Sequence, residues 1–296
     1  MNETTLNTIN NGNRFEDTTS PRFTPVNSGD ILGTLEGEGW TVNRTSVTRT
    51  RDPHRQPFAR HLVTMRQKDD VLALADKPRQ VGDLVRELRL MNGNDGTQAV
   101  EIMAGFMRLI CLNGLTVGQS FVSYKIKHSA RPENLRDTLR CALEGVSEQF
   151  AHGETVIQSW QNIEVTSAQA RNLAGFAVAA RFGSFFRQEN VSGMVTPDFM
   201  RREFSARVDS VLQVRRSEDR AGNLWTVFNR VQENIIRGGW TGTTPRTNRD
   251  GVETLGTRKV RGVSAVRENV ALNRSLWDAG ESIAKGEVLA LPELVA

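Results

Sequence analysis

Two cysteines in 296 residues, Cys111 and Cys141, leave no room for a disulfide framework or, by themselves, a thiolate zinc site. The four histidines, His54, His61, His128 and His152, share no metal-ligand spacing. No phosphate-loop lysine pattern and no dinucleotide fingerprint occurs. The chain also lacks any run of 18 apolar residues, so no membrane-spanning helix is expected. Its first residues carry neither a basic start nor an apolar stretch, so no secretory signal is expected and a reduced, cytoplasmic setting is the simplest reading. Lysine is scarce as well: only six of the 38 basic residues are lysine.

What is abundant is arginine, whose guanidinium forks onto phosphate oxygens and stacks on flat rings, whereas an ammonium is a hydrated point charge. Between residues 43 and 60 the chain carries Arg44, Arg49, Arg51, Arg55 and Arg60 against Asp52, a net +4. Residues 201–261 hold thirteen basic side chains against seven acidic ones, net +6, while 262–296 is net −2. A basic body with a mildly acidic tail points to nucleic acid or another polyanion.

Residues 1–28 are rich in Asn, Thr and Glu and read as a flexible arm. Alternation over 40–51 and again over 59–66 predicts a hairpin, with Pro53 and Pro57 breaking the positively charged connection between them. Residues 81–91 fit a helical face (Leu84, Leu88, Met91) and strand alternation (Val85, Glu87, Arg89) equally. Asn92 to Gly96 is a glycine-containing turn, 99–112 is apolar, and 121–128 alternates. The second half reads as helical. Leu135, Leu139, Ala142, Leu143, Val146 and Phe150 recur at three- and four-residue spacing. Thr166 or Ser167 caps a second helix, and Thr196 followed by Pro197 opens a third. A fourth places Leu224, Trp225, Phe228, Val231 and Ile235 on one face and stops at Gly238 and Gly239. Little periodicity follows, so 241–262 reads as a mobile basic loop, with a last helix and tail over 263–296. The expectation is an α+β fold: an N-terminal antiparallel sheet packed with a mostly helical C-terminal half. The arm would lead into a single core domain over 29–240.

No residue set argues for catalysis. Cys111 sits in an apolar run, the usual place of a buried small hydrophobe. Asp95, in its glycine turn, reads first as a turn-stabilising side chain. No catalytic residue, metal ligand or cofactor is therefore expected. The basic elements carry the candidate nucleic-acid-binding residues: Arg44, Arg49, Arg51, Arg55 and Arg60 on the hairpin, Lys125, Lys127 and Arg131 along the alternating strand, and Arg246, Arg249, Arg258, Lys259 and Arg261 in the loop. Trp240 and Tyr124 are the candidate stacking platforms, base stacking being worth roughly 1–3 kcal/mol per base. No zinc finger or helix-turn-helix is present to read a major groove.

Asn92, Asp95, Gly96 and Thr97, followed by Arg108, Cys111, Asn113, Gly114 and Leu115, resemble the central motif of a phage- and plasmid-borne family of uncharacterised proteins. Lys127, His128 and Arg131 look like the basic segment downstream of that motif. The chain departs by having Asn94 where a histidine commonly precedes the aspartate. The resemblance implies mobile-element biology without an assigned reaction. A fainter likeness, in size and basic character, is to Drc-type single-stranded DNA-binding regulators of lytic podoviruses. It implies DNA coating linked to replication and to phage-polymerase transcription.

Together these readings predict a cytoplasmic, self-associating protein that binds single-stranded DNA with little sequence preference, with a phage RNA polymerase as a further partner. Two alternatives stand beside it. One is a metal-dependent nucleic-acid-processing enzyme using Asp95, Arg108 and His128, and the other is an inhibitor of a host factor.

Overall fold

The computed structural model describes residues 3–75, 84–108, 114–115, 124–128, 133–186, 196–247 and 253–290. The chain divides into two compact units, Met1–Gly153 and Glu154–Ala296, where composition argues for one core over 29–240.

The first unit is built on an antiparallel sheet. Its strands are β1 (Trp40–Val47), β2 (His61–Gln67), β3 (Leu84–Gly93), β4 (Gln98–Arg108), β5 (Gly114–Leu115) and β6 (Tyr124–Ile126). The order is β1-β2-β3-β4-β5, with β6 also pairing with β4. The expected hairpin forms with Val47 opposite His61, and a two-turn 3₁₀ helix, Pro53–Phe58, fills the connection. Asp52 caps that turn by accepting from the His54 N–H at 2.9 Å. The ambiguous stretch before the glycine turn is strand, because β2 and β4 flank it on both sides. Val85, Leu88, Leu90 and Met91 are all buried there. Glu87, buried in the same strand, sits opposite Arg66 and pairs with it at 3.7 Å and with Arg89 at 3.0 Å.

The N-terminal residues are not a loose arm. They form α1 (Glu3–Ile9) and α2 (Ser28–Gly37), joined by a segment clasped by the β3–β4 turn. Asn94 donates to the Asn11 and Val26 carbonyls at 2.8 and 3.1 Å and accepts from the Val26 N–H. Asn92 donates to the Val26 carbonyl and to Ser28 Oγ, both at 2.9 Å. The asparagines of the glycine turn, distant in sequence, thus supply the backbone of this segment with partners. Each such buried bond, once orphaned, costs about 1–3 kcal/mol.

His61 closes this polar core. Its Nδ1 faces the Ala59 carbonyl at 3.1 Å and its Nε2 meets the Ser28 hydroxyl at 2.8 Å, the pattern of a neutral imidazole. Burial pushes its pKa below the ordinary 6.5, the Ala59 carbonyl opposing in part. The unfolded chain therefore takes up the proton first. This stability is complete above about pH 6.5 and is lost as pH falls through the depressed folded value. Urea unfolding is expected to show a lower midpoint at pH 5.5 than at 7.5, and His61→Gln should reduce that difference, the remainder falling to buried His128.

The second unit contains the last turns of α4 (Glu133–Gln161), then α5 (Ser167–Phe186), α6 (Pro197–Leu212), α7 (Leu224–Arg237), a two-stranded ribbon and α8 (Val266–Ala284). Thr196 caps α6 with Pro197 at its first position, and Asn223 caps α7. Helix α7 is the axis of the unit. Its apolar face is buried, and so are Asn229, Gln232, Glu233 and Asn234. A helix buried all round needs a partner for every polar group. Gln232 donates to Asn273 of α8 at 2.8 Å, Glu233 takes Arg216 and Arg237, and Asn234 donates to the Val211 and Gln213 carbonyls.

Residues 241–247 and 253–259 correct a second expectation. They form an antiparallel ribbon, β7 (Thr241–Thr247) and β8 (Glu253–Lys259), rather than a mobile loop. Threonines at 241, 243, 244, 247, 254 and 257 supply β-branched side chains where apolar alternation is missing. No helix among the described residues is long and apolar enough to cross a membrane.

Candidate nucleic-acid interface

Whether an arginine can meet a phosphate depends first on whether the protein already uses it. Arg55 is used: its Nε and Nη2 both reach Asp95 Oδ2 at 2.9 Å. The other oxygen of Asp95 accepts from the Thr97 N–H and hydroxyl. The pair locks the 3₁₀ turn to the β3–β4 turn, which withdraws Arg55 from the expected contacts and commits the Asp95 carboxylate. By contrast, Arg44, Arg49 and Arg51 are exposed and Arg60 is half-buried, and none has an ion pair among the described residues.

Lys125 and Lys127 are likewise exposed. Tyr124 is half-buried and donates to the Cys141 carbonyl at 3.3 Å. His128 is buried with its ring nitrogens 2.9 and 3.0 Å from the Thr24 and Gln98 carbonyls, stacked on Phe23 at 4.3 Å. Burial lowers its pKa, with the two carbonyls and Asp95 pulling the other way. Arg131 and Arg249 lie outside the described residues, as do the side chains of Arg108 and Arg246; the backbone of Arg246 pairs with Thr254.

In the second unit the expected cations Arg258, Lys259 and Arg261 come together with residues that sequence reading missed. They line a cleft of about 790 Å³ with Arg181, Phe182, Phe185, Arg207 and Glu268. The geometry begins at the end of α7. Gly238 and Gly239 have φ of 64° and 87°, and a Cβ on Gly238 would overlap the Val260 and Arg261 carbonyls. Gly239 N–H donates to the Val260 carbonyl at 2.7 Å, and Val263 N–H to the Ile236 carbonyl at 2.8 Å. These bonds pin residues 260–263 across the helix end and set Arg258, Lys259 and Arg261 at the rim, exposed and without an ion pair among the described residues.

The cleft wall is cationic too. The Arg207 guanidinium is buried 4.6–5.1 Å from the centres of Phe185, Phe182 and Phe186. It is fixed by Glu203 at 2.8 Å and the Thr243 carbonyl at 3.0 Å. Arg181 lies 4.9 Å over Phe182 and donates to the Ile235 and Arg261 carbonyls. Burial lowers its pKa, Glu268 raises it and Arg207 lowers it further. Trp240, expected as a stacking platform, is instead buried just after the end of α7. Its indole N–H donates to the Asn234 carbonyl at 3.0 Å and its ring meets Phe182 edge-on. A signal for the missed wall existed in the Arg-Phe-x-x-Phe-Phe ending of α5, but nothing local says which arginine it receives.

Among the described residues no three His, Cys, Asp or Glu side chains gather as a metal-holding group. An α+β protein with unpaired cations on a hairpin and around a cleft is the class this geometry defines. The chain belongs to the family described as "Domain of unknown function (DUF932)", whose profile matches residues 17–277. It is 28% identical over 267 residues to the UPF0380 proteins YfjQ and YafZ of Escherichia coli strain K12, covering 89% of this chain and 83% of each of theirs. No solved structure matches.

Proposed function

We propose that this protein binds single-stranded DNA, largely without sequence preference, through the cationic cleft of its second unit, assisted by the hairpin arginines of its first. The observation that carries the reading is the cleft itself: among the described residues five cations, one of them paired with Glu203, and two phenylalanines line it against one carboxylate, and the three rim cations make no ion pair. The first turn of α8, whose N-cap Ala265 has no side-chain acceptor, borders the same cleft and adds partial positive charge. Phosphates would meet Arg258, Lys259 and Arg261, and a base would lie against half-buried Phe185. Such a surface suits a single strand, whose exposed base faces a duplex hides. The resemblance to phage- and plasmid-borne proteins and to Drc-type regulators supports a role in viral DNA replication, recombination or transcription in the host cytoplasm. Self-association and a phage RNA polymerase partner belong to this reading. No observation favours the enzyme alternative, since the Asp95 carboxylate and the His128 ring are already bonded internally.

The test is a salt titration of binding to a labelled oligonucleotide. Affinity should fall steeply with salt, by roughly 0.7 log units per log unit of salt for each phosphate neutralised on a single strand. Replacing Arg258, Lys259 and Arg261 together by alanine should reduce that slope by about 2 and weaken binding roughly a hundredfold at low salt. A duplex of equal length should bind less well. No detectable binding at low salt ends the reading.

A further inference from the structure

Glu268 does not fit a cleft that only attracts phosphate. It is exposed and, among the described residues, lines the cleft as its sole acidic side chain, in the first turn of α8. It makes no ion pair or hydrogen bond with any described residue. Arg181 is close enough to feel its charge but directs its donors to the Ile235 and Arg261 carbonyls. A carboxylate left without a donor among five cations repels the phosphates those cations draw in. Towards a strand it contributes favourably only where the strand supplies a hydrogen-bond donor.

On a DNA strand such donors are on the bases. Cytosine presents an amino group, the usual partner of a glutamate at a base edge. Thymine presents one imide N–H with a carbonyl on either side, and those oxygens face the second carboxylate oxygen. Resting on the single-stranded DNA reading above, we propose that Glu268 biases the cleft toward bases carrying an amino group and against thymine. The cations would hold the strand, and Glu268 would set which base sits in the cleft.

The experiment compares oligo(dC) and oligo(dT) of equal length with the full chain and with Glu268→Ala and Glu268→Gln. The unmodified protein should bind oligo(dC) roughly tenfold more tightly than oligo(dT). Glu268→Ala should tighten binding of both, oligo(dT) the more, and bring the ratio close to one. Glu268→Gln, whose amide can donate to a thymine carbonyl, should also raise oligo(dT) binding, and its unchanged melting temperature would separate recognition from folding. A ratio near one in the unmodified protein overturns the proposal. So does tighter binding of Glu268→Ala at an unchanged ratio, which makes the carboxylate a charge on a helix end and nothing more. A Glu268-dependent preference for oligo(rU) over oligo(dU), with no effect on cytosine, would also overturn it by placing the carboxylate on a ribose hydroxyl. Failure of the unmodified protein to bind either oligonucleotide is a different result, and it removes the single-stranded DNA reading itself.

Discussion

Gly280→Ala should destabilise the second unit by about 1–3 kcal/mol, although alanine in place of glycine inside a helix ordinarily gains up to about 1 kcal/mol. Gly280 is buried in α8, and a methyl group there would overlap the six-membered ring of Trp160. That ring has nowhere to go. Trp160 is 1% exposed, stacked on Trp277 with centroids 4.5 Å apart and set edge-on against Phe228 at 5.2 Å. Phe228 in turn touches Trp277 at 5.9 Å and Trp225 at 6.0 Å. A closed cluster of rings cannot absorb a volume increase by turning one rotamer, so overpacking outweighs propensity. Trp160→Ala should cost more, about 3–5 kcal/mol, because the cavity it leaves is walled by rigid aromatics. The two substitutions share that space, so the double variant should lose less than their sum, the alanine methyl at 280 filling part of the void. Chemical unfolding followed by tryptophan fluorescence measures all three. Additive losses would mean that the Gly280–Trp160 contact does not limit packing here.

How far the sequence discloses this molecule depends on whether each signal is local. The α+β division, the hairpin over residues 40–67, the Thr196–Pro197 start of α6 and the glycine stop of α7 are all written in neighbouring residues, and all are present. The N-terminal segment and the 241–259 ribbon are not so written. Both lack apolar periodicity, and both are ordered by bonds to distant groups: Asn94 for the first, and Glu203 with Arg207 for the second. Composition alone makes such segments look loose. The same reason divides the site. Arg258, Lys259 and Arg261 announce themselves as a basic run. Arg181 and Arg207, by contrast, look like ordinary surface positions on helices until the fold sets them against phenylalanines. Arg55 shows the converse, since only the turn at Asp95, forty positions later in the chain, reveals that its charge is already engaged.

The buried Arg207–Glu203 pair should be the most consequential side-chain pair in the second unit, for stability and for binding at once. The two lie one turn apart on α6, with side chains 3% and 7% exposed and 2.8 Å between them. Glu203 Oε1 also accepts from the Thr243 N–H at 2.8 Å, while Arg207 Nη2 donates to the Thr243 carbonyl at 3.0 Å. One helix turn thereby holds both backbone groups of a single residue in β7. Gly242 permits that approach, since a Cβ there would lie 3.2 Å from the Glu203 carboxylate. Arg207→Met leaves a carboxylate buried with one amide for company, and loss of a partner from a buried pair costs about 3–5 kcal/mol. Replacing both, as Glu203→Leu with Arg207→Met, should recover much of that loss, because buried ion pairs are often no more stabilising than apolar residues of similar volume. Binding should not recover with it. The double variant still lacks the two bonds that fasten β7, and through β7 the strand that carries Arg258 and Lys259 opposite Gly242 and Thr241. Two rim cations that must be ordered on binding, rather than held in place beforehand, lower affinity by roughly tenfold. The expected signature is therefore a split, with urea midpoints restored and oligonucleotide affinity still reduced. Restoration of both would mean that the pair serves the core alone and that the ribbon needs no fastening to meet its ligand.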